Sequence, residues 1–484
     1  MNRSNAEGKE RSDQLNEMDT TEKQDPVNAL RQLALRIKRE VDDQRSRGLI
    51  QPEEEPYFRW KVDKFQYTEE GVTVPRAKGE HSTKKSWFKA SRQITDCINK
   101  SQEYSSALGS LTESGGKKNR IPDALGSFTR CLIVRYLDEG KLNDADLDTY
   151  VAVFMKDIRE EPVRCGAEVE LDGIVIIPGK VEFRVGDTAF VLRQTRIEDL
   201  EREHLAYLPS QGLELNRPSA ILNIEYLGRG GRETQIRVEQ AISILRLFKV
   251  GSVQHISYRM YSESITDLMA SGTLRSRGPR RVPETSQIGA SDGEGLKKFW
   301  QTMIQTLSPG FYDIEETKID HISIAYKRYC DALLQDGVSE RRIANAVMGL
   351  ESLFLKGGEI QELAYRLSMR IAKIFGLLGH ECLGHDWSQV RKVVNSAYKV
   401  RNLFVHGSHL SDKEKRKLNN KFGNIGSFLL KLLDCLRICL VIILVVKKEK
   451  EEFLDLIDDA LVEKEKDCEL ANLLNAVRSL LSGR

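Results

Sequence analysis

The sequence predicts a multidomain protein in which an all-α helical bundle at the C-terminal end follows a helical region and a small α+β module. Apolar residues at helical spacing dominate beyond residue 295, and period-two alternation with short turns fills 166–272. The 484 residues also exceed the usual size of one domain. The predicted parts are a mostly disordered, charged N-terminal segment (1–55), a helical region (56–165), the α+β module (166–272), a basic linker (273–295) and the bundle (296–484).

Composition indicates a globular protein whose overall electrostatic field is weak. The net charge is +2 although 30% of residues are charged, so a nucleic-acid contact would have to come from local patches. The eight cysteines are scattered without a CxxC pair, which indicates a reducing compartment and argues against a zinc ribbon. The polar N-terminal residues lack the apolar core of a secretory signal. A cytoplasmic protein is therefore expected.

One apolar segment, 428–446, invites a membrane interpretation. It carries Lys431, Asp434 and Arg437, and its uncharged part runs only from Ile438 to Val446. A bilayer needs about 20 apolar residues, so this part is too short to span one. The segment predicts a helix buried between other helices or at a subunit interface.

Apolar spacing in the N-terminal third predicts helices at 27–47, 86–99, 123–137 and 143–158. The residues 110–120 are rich in Gly, Ser and Lys and predict a loop. The first 25 residues are polar and predicted to be disordered. Basic residues are interspersed along the first helix, which leaves a partner-binding helix and a solvated helix as alternatives.

The α+β module is predicted from short alternating runs separated by glycine turns. Its strands are expected at 168–171, 173–177, 181–185, 189–193 and 220–226, and a helix at 234–248. Thr195 with Glu198 is typical of a capping box that begins a further helix toward Glu203. The run Arg229-Gly230-Gly231-Arg232 favours a turn over an RNA contact.

The linker is basic and rich in Gly, Ser and Pro. Four of its arginines fall within seven residues, at Arg275, Arg277, Arg280 and Arg281. A flexible basic segment can guide RNA phosphates, and a merely solvated linker is equally compatible with this composition.

Beyond the linker, apolar stripes predict helices at 319–335, from Ser339 to 354, at 360–378 and from Asp386 to the end of the motif described next. Ser339 and Asp386, the latter with Gln389, are predicted caps, and Ser411 with Glu414 is a predicted capping box. Helices joined by short loops favour antiparallel packing in a bundle.

The six residues Arg401-Asn402-Leu403-Phe404-Val405-His406 close one of these helices. Asn402 and His406 are four residues apart and share a helix face, whereas Arg401 lies about 140° around the helix from His406. RNA carries its own nucleophile, so cleavage needs a base, an acid and positive charge on the phosphate. Imidazole can do the proton work near neutral pH, and guanidinium binds phosphate.

The same spacing occurs at Arg76 and His81. Pro75 precedes that arginine and Gly79 lies within the gap, which makes a regular helix unfavourable there. We interpret this second occurrence as a chance match.

With its flanking residues Tyr398 to Gly407, the motif resembles the signature of the HEPN superfamily, and of its Apea-like branch, over about 315–450. The α+β module with a basic linker is similar, less specifically, to N-terminal regions of Apea-like proteins. The resemblance implies a metal-independent endoribonuclease without a cofactor, with Arg401, Asn402 and His406 catalytic. It also implies a homodimer that pairs two motifs in one cleft, an antiviral defence or toxin role, and an N-terminal half that senses an activator or inhibitor protein.

The alternative function is a non-catalytic HEPN module that mediates protein assembly or binds nucleotides or RNA, since some HEPN domains lack activity. An intact Arg–polar–His set favours the nuclease. Two motifs that face apart in an assembly would favour the module.

Further residues are candidates for roles beside the motif. Glu351 lies where the family often has an acidic residue, and it either supports the site or pairs with Arg366 or Arg370 within the fold. Tyr398 lies three residues before Arg401 and either packs in the core, which is favoured, or stacks on a base.

Two histidine-containing segments flank this helix. Ser408 and His409 follow the motif directly and are candidates for substrate contact. His380 and His385 precede it, but they are five residues apart with Gly384 between them. A zinc-binding helix of the HExxH kind places its histidines four apart, so no metal site is predicted.

Overall fold

The computed structural model of the chain is mostly helical, with a smaller β part and a C-terminal part built of helices. The structure describes residues 25–68, 71–113, 120–140, 143–177, 179–201, 203–205, 218–264, 272–275, 285–307, 320–335, 337–379 and 386–482. The predicted disorder of the first residues lies outside these ranges, apart from Asp25.

The N-terminal helices pack around a hydrophobic core of their own. They are α1 (Pro26–Ser46), α2 (Phe88–Ile98), α3 (Gln102–Glu113), α4 (Ile121–Glu139) and α5 (Asp144–Ile158). Four of them confirm predicted helices, and α3 was not predicted. The loop prediction was wrong for 110–113, which end α3, and the next six residues lie outside the described ranges.

A long hairpin interrupts this helical region. Strands β1 (Glu53–Thr68) and β2 (Gly71–Ser86) pair in antiparallel register, so the predicted helical region was wrong over 56–86. The first strand is rich in aromatic and β-branched residues, which favour the extended chain, but interspersed Lys and Glu obscure the alternation. Arg76 and His81 lie on β2, which confirms that no helix forms there.

The α+β module is built on a six-stranded antiparallel sheet. Its spatial order is β10 (Gly272–Arg275), β9 (Gln254–Ser262), β3 (Val163–Asp172), β8 (Ala220–Gly228), β6 (Thr188–Gln194) and β5 (Lys180–Val185). Two short strands, β4 (Ile174–Ile176) and β11 (Ser286–Ile288), pair in parallel, and β7 (Glu203–Leu205) pairs with β1. The module's helices are α6 (Ile197–Leu200) and α7 (Arg232–Phe248). All five predicted strands and the longer helix are confirmed.

The cap predicted at Thr195 was wrong by one residue. Arg196 occupies the N-cap of α6, and its backbone N–H donates to Asp199, whereas Thr195 donates its hydroxyl to the Pro218 carbonyl. The helix is only one turn long, because Glu203 begins β7. Gly230 and Gly231 both have positive φ and form the predicted turn between β8 and α7.

The linker prediction was wrong at both ends, because 273–275 belong to β10 and a further strand begins at Ser286. Residues Ser286–Ile288 form β11, a 3-10 turn spans Ala290–Asp292, and a helix starts at Gly293. Strand β11 gains its structure from pairing with β4, which is more than 100 residues away in the chain. Local composition therefore gave no sign of this strand.

Ten helices are described in the C-terminal part. They are α8 (Gly293–Thr306), α9 (His321–Leu334), α10 (Ser339–Phe354), α11 (Leu363–Leu378), α12 (Trp387–Val405), α13 (Asp412–Phe422), α14 (Ile425–Val446), α15 (Lys450–Ala460), α16 (Lys464–Leu473) and α17 (Asn475–Leu481). The predicted cap Asp386 and the box of Ser411 with Glu414 are confirmed. Ser339 was wrong as a cap, because Val338 holds the cap position of α10.

Helix α14 is the centre of this part, and 14 of its 22 residues are buried, as predicted for the apolar segment 428–446. Arg437 is buried and donates to the carbonyls of Leu247 and Phe248, at 2.9 and 3.0 Å, while Asp434 pairs with its guanidinium. A cation at the C-terminal end of α7 satisfies carbonyls that the helix leaves open and complements its dipole.

The sheet, α7 and the bundle helices share one continuous hydrophobic core. The α+β module and the bundle, predicted as separate parts, are therefore joined through buried packing. Among the described residues, no helix combines the length and the apolar character that crossing a membrane requires.

Candidate functional site

Arg401 lies near the C-terminal end of α12, where it faces the end of α10. Its Nη2 donates to Glu351 Oε2 at 3.2 Å, and its Nη1 donates to Asn402 Oδ1 at 3.2 Å. The side chains of Arg401 and Glu351 are 25% and 16% exposed, so water screens this ion pair only partly. Arg401 Nε is buried and has no hydrogen-bond partner among the described residues. The guanidinium is thus held in place while one of its donors stays unused.

Tyr398 supports this arrangement from within the core. It is only 7% exposed, and the Arg401 guanidinium carbon lies 5.7 Å from the centre of its ring. Burial raises the pKa of the Tyr398 phenol, and the nearby Glu351 carboxylate raises it further. The favoured prediction, packing in the core, is confirmed, and so little exposed ring leaves no face for a base.

His406 occupies the C-cap of α12, and its side chain is exposed. The chain then turns back: the Ser408 N–H donates to the Leu403 carbonyl at 2.8 Å, and the Gly407 N–H donates to the Phe404 carbonyl at 3.0 Å. This pair of hydrogen bonds is the Schellman motif, which requires a left-handed residue at Gly407, where φ is +73°. The turn ends α12 directly after the imidazole and leaves it facing solvent.

We expect Gly407→Ala to lower the free energy of unfolding by about 1 kcal/mol, because an L side chain is strained at this φ. A Cβ at Gly407 would meet no atom within 4 Å, so the cost is conformational rather than steric. Gly293→Ala is the matched control: its Cβ site is equally open, but its φ is −56°. Urea unfolding of both variants checks this, and equal losses would contradict it.

Glu351 pairs with Arg401, and the predicted pairing with Arg366 or Arg370 was wrong. Those two arginines instead bind Glu359, on the segment between α10 and α11. Arg366 and Arg370 lie on the next helix, α11, and only the packing of α12 against α10 decides which cation Glu351 meets.

The remaining predicted site residues have different outcomes. Ser408 and His409 are exposed beside the motif. Arg275 is on β10, an edge strand of the sheet, and its side chain lies outside the described residues, as do Arg277, Arg280 and Arg281. The segment 380–385 is also outside them.

Sequence reasoning missed a set of lysines around the motif. Lys392 and Lys399 lie on α12, and Lys421 lies on α13 with its Nζ donating to Ser396 Oγ at 3.1 Å. The positive charge of this segment is visible in the sequence, although the net charge of the whole chain is only +2.

Comparisons with protein-family models, with curated proteins and with solved structures each find no match to this chain. Within the described part of the chain, no group of three or more His, Cys, Asp or Glu side chains is arranged to hold a metal ion. The chemistry available at the motif is that of one guanidinium, one amide and one exposed imidazole.

Proposed function

We propose that the C-terminal bundle is a HEPN-type endoribonuclease that cleaves RNA through attack by the 2′-hydroxyl, with Arg401, Asn402 and His406 as catalytic residues. One observation carries the proposal. Arg401 is oriented by Glu351 and Asn402 on the same helix end that presents His406 to solvent. A fixed cation and an accessible proton carrier at one helix end are groups that this reaction needs.

The reaction forms one bond and breaks another at phosphorus. The 2′-oxygen attacks as a base takes its proton, the bond from phosphorus to the 5′-oxygen breaks, and an acid protonates that oxygen. The products are a 2′,3′-cyclic phosphate and a 5′-hydroxyl. Each chain supplies one motif, so in the proposed homodimer one neutral His406 is the base and its counterpart, protonated, is the acid.

Arg401 would stabilise the charge that grows on the phosphate oxygens in the transition state. Its present partners hold the guanidinium near the helix end, and a quarter of the side chain is exposed. A phosphate oxygen would meet this exposed part while Glu351 keeps the guanidinium oriented.

The second candidate is the non-catalytic HEPN module. The contacts of Arg401 favour this module, because a guanidinium that binds Glu351 and Asn402 can be part of an ordinary structural ion pair. In that case the homodimer would act in protein assembly or in binding RNA or nucleotides, without cleavage.

The test is cleavage of a mixed single-stranded RNA and of a tRNA pool by the full chain in EDTA. If the proposal holds, the wild-type chain gives products that end in 2′,3′-cyclic phosphate, and the His406→Ala variant gives no cleavage products. Intact RNA with both proteins would favour the non-catalytic module. Equal cleavage by both proteins would show that another site or a contaminant cuts.

We expect Glu351→Gln to lower kcat by about tenfold or more with little change in KM, because the carboxylate orients a cation that acts in the transition state. The free energy of unfolding should fall by about 1.5–3 kcal/mol, the usual value of a hydrogen bond to a charged group. Steady-state kinetics with urea unfolding checks both. Unchanged kcat with lowered stability would assign the pair a structural role only.

A further inference from the structure

The segment that carries the motif is far more basic than the chain as a whole. Residues 387–422, from the start of α12 to the end of α13, contain nine Lys or Arg and two Asp or Glu, hence a formal charge of +7. The whole chain of 484 residues carries only +2. Positive charge is therefore concentrated on these two helices, where a polyanion would meet a local field.

Two lysines of α12 lie on the same face as His406. Lys392, Lys399 and His406 are seven residues apart in turn, which is two helical turns, and all three are exposed. Each step advances about 10 Å along the helix axis. Asn395 and Asn402 fill the intermediate positions of this face and are half-buried.

Helix α13 adds a third cation to this face. Lys421 is anchored to Ser396 of α12 through its Nζ. Partial burial lowers the pKa of Lys421, and the charges of Lys392 and Lys399 lower it further. Among the described residues, none of the three forms an ion pair with a carboxylate. Three cations that repel one another without a counter-ion indicate a surface arranged for an external anion.

We infer that Lys392, Lys399 and Lys421 form a phosphate-binding track along which a single RNA strand reaches His406. The inference rests on the proposed function and adds the path of its substrate. Separate ammonium groups suit successive phosphates, which they contact as point charges. The apolar residues of α13, Leu418 and Phe422, are buried, so that helix presents no apolar face to a lipid surface.

The test measures binding rather than cleavage, so that its outcome is independent of catalysis. In the full chain with His406→Ala, a fluorescein-labelled 20-nucleotide single-stranded RNA is titrated by anisotropy at several salt concentrations. We expect the triple substitution Lys392→Gln, Lys399→Gln and Lys421→Gln to weaken binding at least tenfold at 0.1 M salt. The salt slope should fall by about 2, since each contact with a single strand contributes about 0.7.

Two control variants distinguish the effect of the track lysines from the effect of the total charge of the protein. Lys89, Lys100 and Lys156 are exposed lysines of the N-terminal part, on α2, on the turn after it and on α5. Their substitution with Gln removes the same charge from elsewhere. Arginine at the three track positions keeps the charge there. Both variants should bind as the parent does. The glutamine track variant should also unfold at the same temperature or higher, because the substitution removes mutual repulsion.

Each outcome decides the inference. Weakened binding of the track variant alone supports it, even if the wild-type chain never cleaves RNA, and in that case only the nuclease proposal falls. Equal binding by the track variant and the lysine control overturns it. So does a chain that binds no RNA, including one that binds vesicles of phosphatidylserine instead.

Discussion

Replacing His406 with alanine is expected to lower the rate of RNA cleavage by about 10²- to 10⁴-fold, the usual contribution of a general acid or base. In the proposed dimer both proton carriers are lost at once, so the upper end of this range is expected. The imidazole is exposed and the turn that follows it is held by backbone hydrogen bonds. The free energy of unfolding should therefore stay within about 0.5 kcal/mol of wild type.

Single-turnover cleavage of one labelled RNA, with urea unfolding of each protein, measures both quantities. His406→Gln is informative beside the alanine variant, because glutamine keeps a hydrogen-bonding side chain but carries no titratable proton. Both variants should be equally inactive. His409→Ala should lose far less, since His409 is outside α12. A larger loss of activity in His409→Ala than in His406→Ala would show that His409, and not His406, carries the proton.

Arg370→Ala is expected to lower the free energy of unfolding by about 3–5 kcal/mol, the largest stability effect in the bundle. Arg370 is 1% exposed and joins three parts of the fold. It binds Glu359 at 2.6 Å, Asp458 of α15 at 2.6 Å and the Phe354 carbonyl at 2.7 Å. Its removal takes two hydrogen bonds from Glu359, which is 11% exposed, and deprives Asp458 and the Phe354 carbonyl of the same donor.

Arg366→Ala is the matched control, because Arg366 binds the same carboxylate. Its Nη1 is 3.3 Å from Glu359 Oε1, but the side chain is 46% exposed. A pair so exposed contributes about 0–1 kcal/mol. Equilibrium unfolding in urea separates the two arginines, and similar losses from both would contradict the role given to burial.

The pH dependence of stability provides a second readout of this cluster. Hydrogen bonds from Arg370 lower the pKa of Glu359 to about 2. A carboxyl whose pKa is lowered by folding stabilises the fold above its unfolded value and loses that contribution as the pH falls toward the folded value. Wild type should lose about 2 kcal/mol between about pH 4.5 and pH 2, after allowance for solvent screening, and Arg370→Ala should lose less.

The sequence determined most of the secondary structure. Helical spacing with caps such as Asp386 and Ser411 placed several bundle helices, and alternation with glycine turns placed four of the six strands of the sheet, β3, β5, β6 and β8. These features are local, since the hydrogen bonds of a helix or a tight turn join residues only a few positions apart. The motif Arg401 to His406 was visible for the same reason, as was the end of α12 at Gly407.

Tertiary structure alone decided which charged groups meet. Glu351 reaches Arg401 across 50 residues of chain, and Arg437 reaches the carbonyl of Leu247 across 190. Such pairs depend on how whole helices pack, and several cations in the sequence were equally available to each carboxylate. Lys421 likewise meets the lysines of α12 only because α13 folds back beside it. The local sequence pattern therefore determined the helices and the motif. The packing of the helices determined which side chains orient the motif.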